Sequence, residues 1–235
     1  MSISQALNGF ELDDLQLVLI QKLTDLAKSF NQKSIFNFLK SCPAKNGLYI
    51  YGGVGRGKTM LMKTFFDKLK VSKKIIHYQD FMQSVHKQLH QFQLMNVEKA
   101  LIHLADSFAK NLRVLCLDEF EIKDIVDATI IGKLFEELIK RKIFFVITSN
   151  TKPDNLYLDG LQRQSFLGFI HILNTRFDLF YLGSSCDYRL AKPKNIEGDR
   201  ILYPINQSTS NKIKNIISKI TNNQTYPGTI EIFGR

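Results

Sequence analysis

The chain has 235 residues, of which 44% are hydrophobic and 23% are charged, and its formal net charge is +10. This length and composition can bury a full core, which excludes an intrinsically disordered protein. No apolar run of about eighteen residues is present, so we expect no membrane span. Because residues 1–14 resemble neither a secretory nor an organelle-import signal, we expect a cytoplasmic protein.

The positive charge raises the question of nucleic acid binding, because clustered Lys and Arg neutralise phosphates. The basic residues are scattered, however, and the densest clusters, 73–74 and 140–142, lie beside predicted strand starts. A solvated surface is therefore favoured, and no motif supports a nucleic acid partner. Three cysteines share no metal-ligand spacing and are predicted to be reduced and structural: Cys42, Cys116 and Cys186.

The first predicted element is an amphipathic N-terminal helix. Apolar residues recur there at steps of three and four, the spacing of one helix face: Leu12, Leu15, Leu19, Leu23, Leu26 and Phe30. The apolar run 47–51, GLYIY, then predicts a buried strand, and residues 59–70 predict a helix. Four residues at the junction match the motif G-x-x-x-x-G-K-[ST]: Gly52, Gly57, Lys58 and Thr59.

This strand, loop and helix order is the context that a phosphate-binding loop requires. The glycines allow successive backbone N–H groups to turn inward, beside the positive end of the new helix. Lys58 is predicted to reach the β- and γ-phosphates of a nucleoside triphosphate, and the Thr59 hydroxyl to bind Mg²⁺. The predicted nucleotide-binding residues are Gly52, Gly53, Val54, Gly55, Arg56, Gly57, Lys58 and Thr59.

Strands and helices alternate in the rest of the chain. The predicted strands are 74–78, 114–117, 142–150 and 177–183, and the predicted helices are 79–95, about 97–111, 124–141 and 161–176. This alternation predicts an α/β fold, a P-loop NTPase with a mostly parallel sheet flanked by helices. We expect strand 74–78 to lie between the loop strand and the acidic strand 114–117, as in hydrolytic ATPases with an adjacent glutamate.

Two carboxylates emerge at the carboxyl end of strand 114–117, where ligands bind in open α/β sheets. Asp118 is predicted to hold Mg²⁺ through a bound water, and Glu119 to orient the water that attacks the γ-phosphate. Asn150, at the end of the next buried strand, is predicted to sense the γ-phosphate. Arg163 is a candidate for projection into a neighbouring site, although a surface arginine explains it equally well.

Two other patterns indicate different chemistry and are less favoured. Residues 151–154, TKPD, resemble the guanine-reading element of GTPases, but the D-x-x-G that should follow the acidic strand is absent, so adenine is favoured. His86 and His90 lie one helical turn apart without an acidic or cysteine ligand to complete a metal site, so ordinary partly buried histidines are predicted.

Several blocks of the sequence resemble the ZapE/AFG-like ATPases, a branch related to AAA+ proteins. They run from about Asp13 to Arg189: DDLQLVLIQKL, GLYIYGGVGRGKTMLM, HYQDFMQSVHKQLH, LCLDEFEIKDIVDATIIGKLF, TSNTKPDNLYLDGLQRQSF and CDYRL. The resemblance implies ATP hydrolysis with Mg²⁺ as cofactor, an AAA+-like site with Asn150 as sensor, and Arg163 as the first candidate for an arginine finger. It also implies a homo-oligomer and, for bacterial members, a protein partner in cell division, or a role in protein quality control.

The chain departs from this family in two places. Gln79 stands where the family usually has a histidine, and family members usually continue well beyond residues 234–235. We therefore expect an N-terminal helical segment (1–45), a P-loop ATPase core (46–185) and a short C-terminal region (186–235), a shortened lid or partner domain. The non-enzymatic alternative is an ATP-gated binding module resembling a helicase loader, which would need no residue to position water.

Overall fold

The computed structural model describes residues 12–31, 45–92, 96–158, 160–183 and 207–221. The described elements are α1 (Asp14–Asn31), β1 (Gly47–Tyr51), α2 (Lys58–Lys68), β2 (Lys73–His77), α3 (Tyr78–Gln91), α4 (Val97–Lys110), β3 (Val114–Asp118), α5 (Ile125–Lys140), β4 (Phe144–Ser149), a 3₁₀ turn (Pro153–Asn155), α6 (Arg163–Arg176), β5 (Phe177–Tyr181) and α7 (Gln207–Thr221). The chain divides into two compact units, 1–191 and 192–235. Within the described ranges, no helix is both long and apolar enough to cross a membrane.

The five strands form one parallel sheet in the order β2-β3-β4-β1-β5. The predicted fold class, a parallel sheet flanked by helices, is confirmed. The expected position of the second strand is wrong, because β4 lies between the loop strand β1 and the acidic strand β3. β2 is only partly buried, which suits an edge, whereas all six residues of β4 are buried, as a central strand requires.

Side chains alternate between the two faces of the sheet and are covered by different helices. One face carries Leu48, Ile50, Val114, Cys116 and Val146 and packs with buried side chains of α1 and α2. The other carries Tyr49, Leu115, Leu117, Phe145 and Ile147 and packs with buried side chains of α3 to α6. Because both faces are covered, the inner strands β1, β3 and β4 are apolar at most positions.

Polar side chains define where several helices begin. The Asp13 carboxylate accepts a hydrogen bond from Gln16 N at 2.7 Å, and Gln16 Oε1 accepts one from Asp13 N at 3.2 Å. This reciprocal pair is a capping box at the start of α1. Asp124 is the N-cap of α5, and its side chain accepts from Asp127 N at 2.8 Å.

Asp127 also joins two helices. Its side chain accepts a hydrogen bond from Tyr78 OH at 3.3 Å, and its Oδ1 lies 2.7 Å from His86 Nε2. Burial is the main reason why the pKa of Tyr78 is raised, with the nearby Asp127 charge adding to it. This hydroxyl therefore stays protonated and donates, which ties the start of α3 to α5.

Cys116 is buried on β3, and burial raises the pKa of its thiol to about 12. Such a thiol stays protonated at neutral pH and is unreactive, in line with a structural cysteine. Cys42 and Cys186 lie outside the described residues.

Phe135 is at the centre of an aromatic cluster that fastens α5 to the sheet. Its ring stacks on Phe145 of β4 at 4.4 Å and meets the edge of Phe169 of α6 at 5.0 Å. The side chain is fully buried. The cluster therefore joins the central strand to two helices of the same layer.

We expect Phe135→Ala to lower the free energy of unfolding by about 3–5 kcal/mol, because it leaves a cavity between sheet and helices. Urea unfolding followed by circular dichroism measures this loss. The matched control is Leu167→Ala in α6, where the side chain is 43% exposed, and its effect should stay within about 0.5 kcal/mol. Equal stabilities for Phe135→Ala and the parent chain would contradict this account of the core.

Candidate active site

The phosphate-binding loop leaves β1 at the carboxyl edge of the sheet. Gly52 has φ +153°, and a Cβ there would lie 2.2 Å from Leu182 O, the carbonyl just after β5. Gly57, the last residue before α2, has φ +80°, in the left-handed region. A side chain at either position would clash or strain the backbone. The fold therefore requires glycine at the first and last glycine positions of the motif.

Lys58 begins α2 and turns its side chain back into the loop. Its ammonium donates hydrogen bonds to Gly52 O at 2.8 Å, Gly53 O at 2.7 Å and Asn150 Oδ1 at 2.9 Å. The residue is only 9% exposed. The structure therefore brings the predicted sensor at the end of β4 into direct contact with the phosphate-loop lysine.

Thr59 and Asp118 meet beside this lysine. Thr59 Oγ1 donates to Asp118 Oδ1 at 2.9 Å, and Asp118 is only 2% exposed. The other carboxylate oxygen, Oδ2, is buried and has no hydrogen-bond partner within the described part of the chain. A hydroxyl and a carboxylate are the oxygen donors that Mg²⁺ prefers, so these two predicted ligands fit that ion.

The donor set also suits an ion that keeps part of its water shell. No group of three His, Cys, Asp or Glu side chains that could hold a metal occurs among the residues with described positions. Mg²⁺ usually takes one or two protein ligands, with waters and substrate phosphates completing its shell. Thr59 and Asp118 are sufficient protein ligands for such a site.

Glu119 follows Asp118 in an unusual backbone conformation. Its φ is +55°, which few residues other than glycine adopt, and its side chain is 74% exposed. The carboxylate is therefore open to water at the edge of the sheet, which its predicted role in positioning the nucleophile requires. Asp118 Oδ2 and Glu119 Oε2 lie 3.9 and 4.0 Å, respectively, from His77 Nδ1.

The sequence did not assign functions to three polar residues that contact the site. His77 ends β2, in register with Asp118 of β3. Gln16 is buried on α1, and its Nε2 donates to Arg56 O in the loop at 3.1 Å. Thr148 is buried on β4 and hydrogen-bonds with both Asp118 and Glu119. Two of them could have been noticed in the sequence, because each is a polar residue within an apolar pattern: Gln16 in a predicted helix and Thr148 in a predicted strand.

The described hydrogen bond of Arg163 goes to the turn after β4 and not to the phosphate loop. Its Nη2 donates to Asp154 O at 2.6 Å, and its Nε is buried without a hydrogen-bond partner among the described residues. Arg163 is the first residue of α6 and Asp154 belongs to the 3₁₀ turn that follows β4. Its predicted action on a neighbouring chain stays a prediction.

Asp154 belongs to the TKPD segment that resembles a guanine-reading element. Its Oδ2 lies 2.7 Å from Lys152 Nζ, and its Oδ1 accepts from Asn174 Nδ2 at 2.7 Å. The hydrogen bonds from Lys152 and then Asn174 lower the pKa of Asp154. Both carboxylate oxygens are therefore engaged within the chain, whereas guanine recognition needs them to accept from the base.

Residues 4–235 match the model of the AFG1-like ATPase family. The chain belongs to that family. The AFG1-like chain is 43% identical over 145 residues to the cell division protein ZapE of Escherichia coli K12, which covers 61% of this chain and 38% of ZapE. It is 35% identical over 224 residues to an uncharacterized protein of Schizosaccharomyces pombe, covering 91% of this chain and 49% of that protein. The chain thus spans less than half the length of these two relatives.

Among solved structures, the fold of this AFG1-like chain is similar to domain III of the replication initiation protein DnaA from Thermotoga maritima. The TM-score is 0.55 at 16% sequence identity, and the match covers 95% of this chain and 75% of that one. This likeness confirms the predicted AAA+-like fold class. The family match confirms the resemblance that the sequence motifs carry.

We expect Lys58→Ala to weaken nucleotide binding about tenfold or more, because an ammonium that can meet the phosphates is removed. Titration of a fluorescent ATP analogue measures the dissociation constant. Lys63→Ala is the matched control, since Lys63 lies on the same helix and is exposed. Unchanged affinity in Lys58→Ala would contradict the assignment of the phosphate loop.

Proposed function

We propose that this chain is a Mg²⁺-dependent ATPase that hydrolyses the bond between the β- and γ-phosphates. The observation that supports it most is the junction of three elements at one edge of the sheet. Lys58 contacts Asn150, and Thr59 contacts Asp118, so the phosphate loop, β4 and β3 meet in one site. Glu119 stands next to that junction with an exposed carboxylate.

Each residue then has a separate part in the reaction. The Lys58 ammonium and the inward N–H groups of the loop bind the phosphates and stabilise charge that develops on them. Mg²⁺, bound by Thr59 and through water by Asp118, would neutralise further phosphate charge. Glu119 accepts a hydrogen bond from the attacking water and orients it toward the γ-phosphorus. Asn150, whose Oδ1 accepts from the Lys58 ammonium, would bond both that water and a γ-phosphate oxygen.

The proposed base is adenine. The carboxylate of Asp154, which a guanine-reading element would offer to the base, is already bonded to Lys152 and Asn174. Competition between ATP and GTP for the fluorescent analogue tests this preference.

The proposed setting is the cytoplasm, where the chain works with a protein partner in cell division or in protein quality control. The similarity to the cell division protein ZapE supports the first of these settings. Recruitment of a fluorescent fusion of this chain to division sites in bacterial cells would test it.

We expect Glu119→Gln to reduce turnover about a hundredfold or more, while ATP affinity stays within about threefold of the parent. The amide keeps the size of the side chain but no longer draws a proton from the attacking water. Phosphate release and analogue binding measure the two quantities. Glu121→Gln is the matched control, because Glu121 is exposed and paired with Lys123.

The two assays separate the proposed enzyme from a nucleotide-gated binding module. Parent turnover that is lost in Glu119→Gln supports hydrolysis. If the parent binds ATP tightly but releases no phosphate at any protein concentration, the binding module is the better description. Turnover in Glu119→Gln at the parent rate would remove Glu119 from the mechanism.

Arg163 is proposed to act on the nucleotide of a neighbouring chain in a homo-oligomer. Arg163→Ala should then reduce turnover about a hundredfold or more, and mixing it with inactive Glu119→Gln should restore activity at the mixed interfaces. Arg176→Ala, an exposed position at the end of α6, is the control. Parent-level turnover in Arg163→Ala, or no recovery on mixing, would assign Arg163 to holding Asp154 O alone.

A further inference from the structure

Thr148 contacts three consecutive residues of the turn that carries the acidic pair. Its hydroxyl donates a hydrogen bond to Asp118 Oδ1 and accepts one from Glu119 N at 3.2 Å. Its backbone carbonyl accepts from Phe120 N at 2.8 Å. Thr148 is 1% exposed and lies near the end of the fully buried strand β4. Asp118, Glu119 and Phe120 are therefore all bonded to one residue of the neighbouring strand.

The directions of these bonds follow from chemistry. A threonine hydroxyl has a single proton to donate, and a carboxylate oxygen such as Asp118 Oδ1 accepts that hydrogen bond. The hydroxyl lone pairs then face the Glu119 N–H group, which can only donate. The Thr148 hydroxyl can bond Asp118 Oδ1 and Glu119 N together only by donating to the first and accepting from the second. The Asp118 side chain and the following peptide are therefore held in one relative orientation.

The contact determines which oxygen of Asp118 remains available. Oδ1 accepts from two hydroxyls, Thr59 Oγ1 at 2.9 Å and Thr148 Oγ1, whereas Oδ2 has no hydrogen-bond partner within the described residues. Two donors on one oxygen prevent rotation of the carboxylate. Oδ2 is thereby left as the oxygen that would accept a hydrogen bond from a water on a bound Mg²⁺.

The contact also supports the strained backbone of Glu119. A φ of +55° is costly for a residue with a side chain, by about 1 kcal/mol or more. The bond from Glu119 N to the Thr148 hydroxyl is formed in this conformation and helps to offset that cost. The same conformation directs the carboxylate out of the strand direction and toward solvent.

We propose that Thr148 is a positioning residue for the acidic pair, whose hydroxyl sets both the metal-facing oxygen of Asp118 and the orientation of Glu119. This inference rests on the proposed ATPase function. Thr148 bonds neither the loop glycines nor Lys58 in any described contact. Its removal should therefore affect the use of Mg²⁺ and the rate of turnover much more than metal-free binding of the nucleotide.

Ser149, the next residue along β4, provides a control that distinguishes a positioning role of Thr148 from simple support of the fold. Its hydroxyl donates to Phe120 O at 2.7 Å and accepts from Thr151 N at 3.1 Å, so it bonds the same turn but neither carboxylate. Like Thr148, it is 1% exposed. A purely structural role for β4 hydroxyls predicts similar results when either hydroxyl is removed.

The test compares Thr148→Val, which keeps the shape and removes the hydroxyl, with Thr148→Ser, which keeps the hydroxyl. Ser149→Ala is the control, and all are made in the full chain. Affinity for the fluorescent ATP analogue is measured in EDTA and across a Mg²⁺ titration, together with phosphate release and thermal unfolding. In EDTA, the affinity of Thr148→Val for the analogue should stay within about threefold of the parent. The Mg²⁺ concentration that gives half of the metal's effect on analogue binding should rise about tenfold, and kcat should fall about tenfold or more.

Thr148→Ser should retain the Mg²⁺ requirement and kcat to within about threefold of the parent. Ser149→Ala should leave the Mg²⁺ requirement unchanged even if it lowers the unfolding temperature. A folded Thr148→Val chain with parental Mg²⁺ dependence and kcat would overturn the proposal, as would an equal rise in Mg²⁺ requirement for Ser149→Ala. If the parent binds nucleotide without hydrolysing it, the ATPase proposal fails, and Thr148 is then judged by the Mg²⁺ dependence of binding alone.

Discussion

The position of β4 between β1 and β3 is the constraint on which the site depends. Because all strands run parallel, their carboxyl ends meet at one edge, and the central strand contacts the loops that leave both of its neighbours. On one side, Asn150 accepts from the Lys58 ammonium at 2.9 Å; on the other, Thr148 bonds the Asp118 carboxylate. The phosphate loop and the acidic turn are thus positioned by the same strand, although 59 residues separate Thr59 from Asp118.

The sequence was most informative where the chemistry is local. The spacing from Gly52 to Thr59 is read within one loop, and its glycine requirement reappears as φ values and close backbone contacts. The inner strands could be predicted because they are buried on both faces and so appear as continuous apolar runs. The helices could be predicted from the helical spacing of their apolar residues. Asp118, Glu119 and Asn150 could be proposed as site residues because ligand-binding residues collect at strand carboxyl ends, and this inference needs only the strand bounds.

The features that the sequence could not provide depend on the order of strands in the sheet. The alternation of elements favours strand 74–78 beside the loop strand, but crossover connections allow several orders, and the partial burial of β2 shows its edge position only in the structure. Thr148 and His77 acquire their contacts with the acidic pair from that order. Arg163 is a different case, since a role across a subunit interface cannot be read from one chain, and its described bond goes to its own Asp154.

The link between Gln16 and Arg56 joins two segments that are 40 residues apart in sequence. Gln16 is also half of the capping box of α1, so the same side chain takes part in helix initiation and in loop support. Opening of the phosphate loop at Arg56 and fraying of the first turn of α1 would therefore both break hydrogen bonds of the same side chain, which couples the two motions. A ligand that holds the loop in place would therefore also stabilise the first turn of α1.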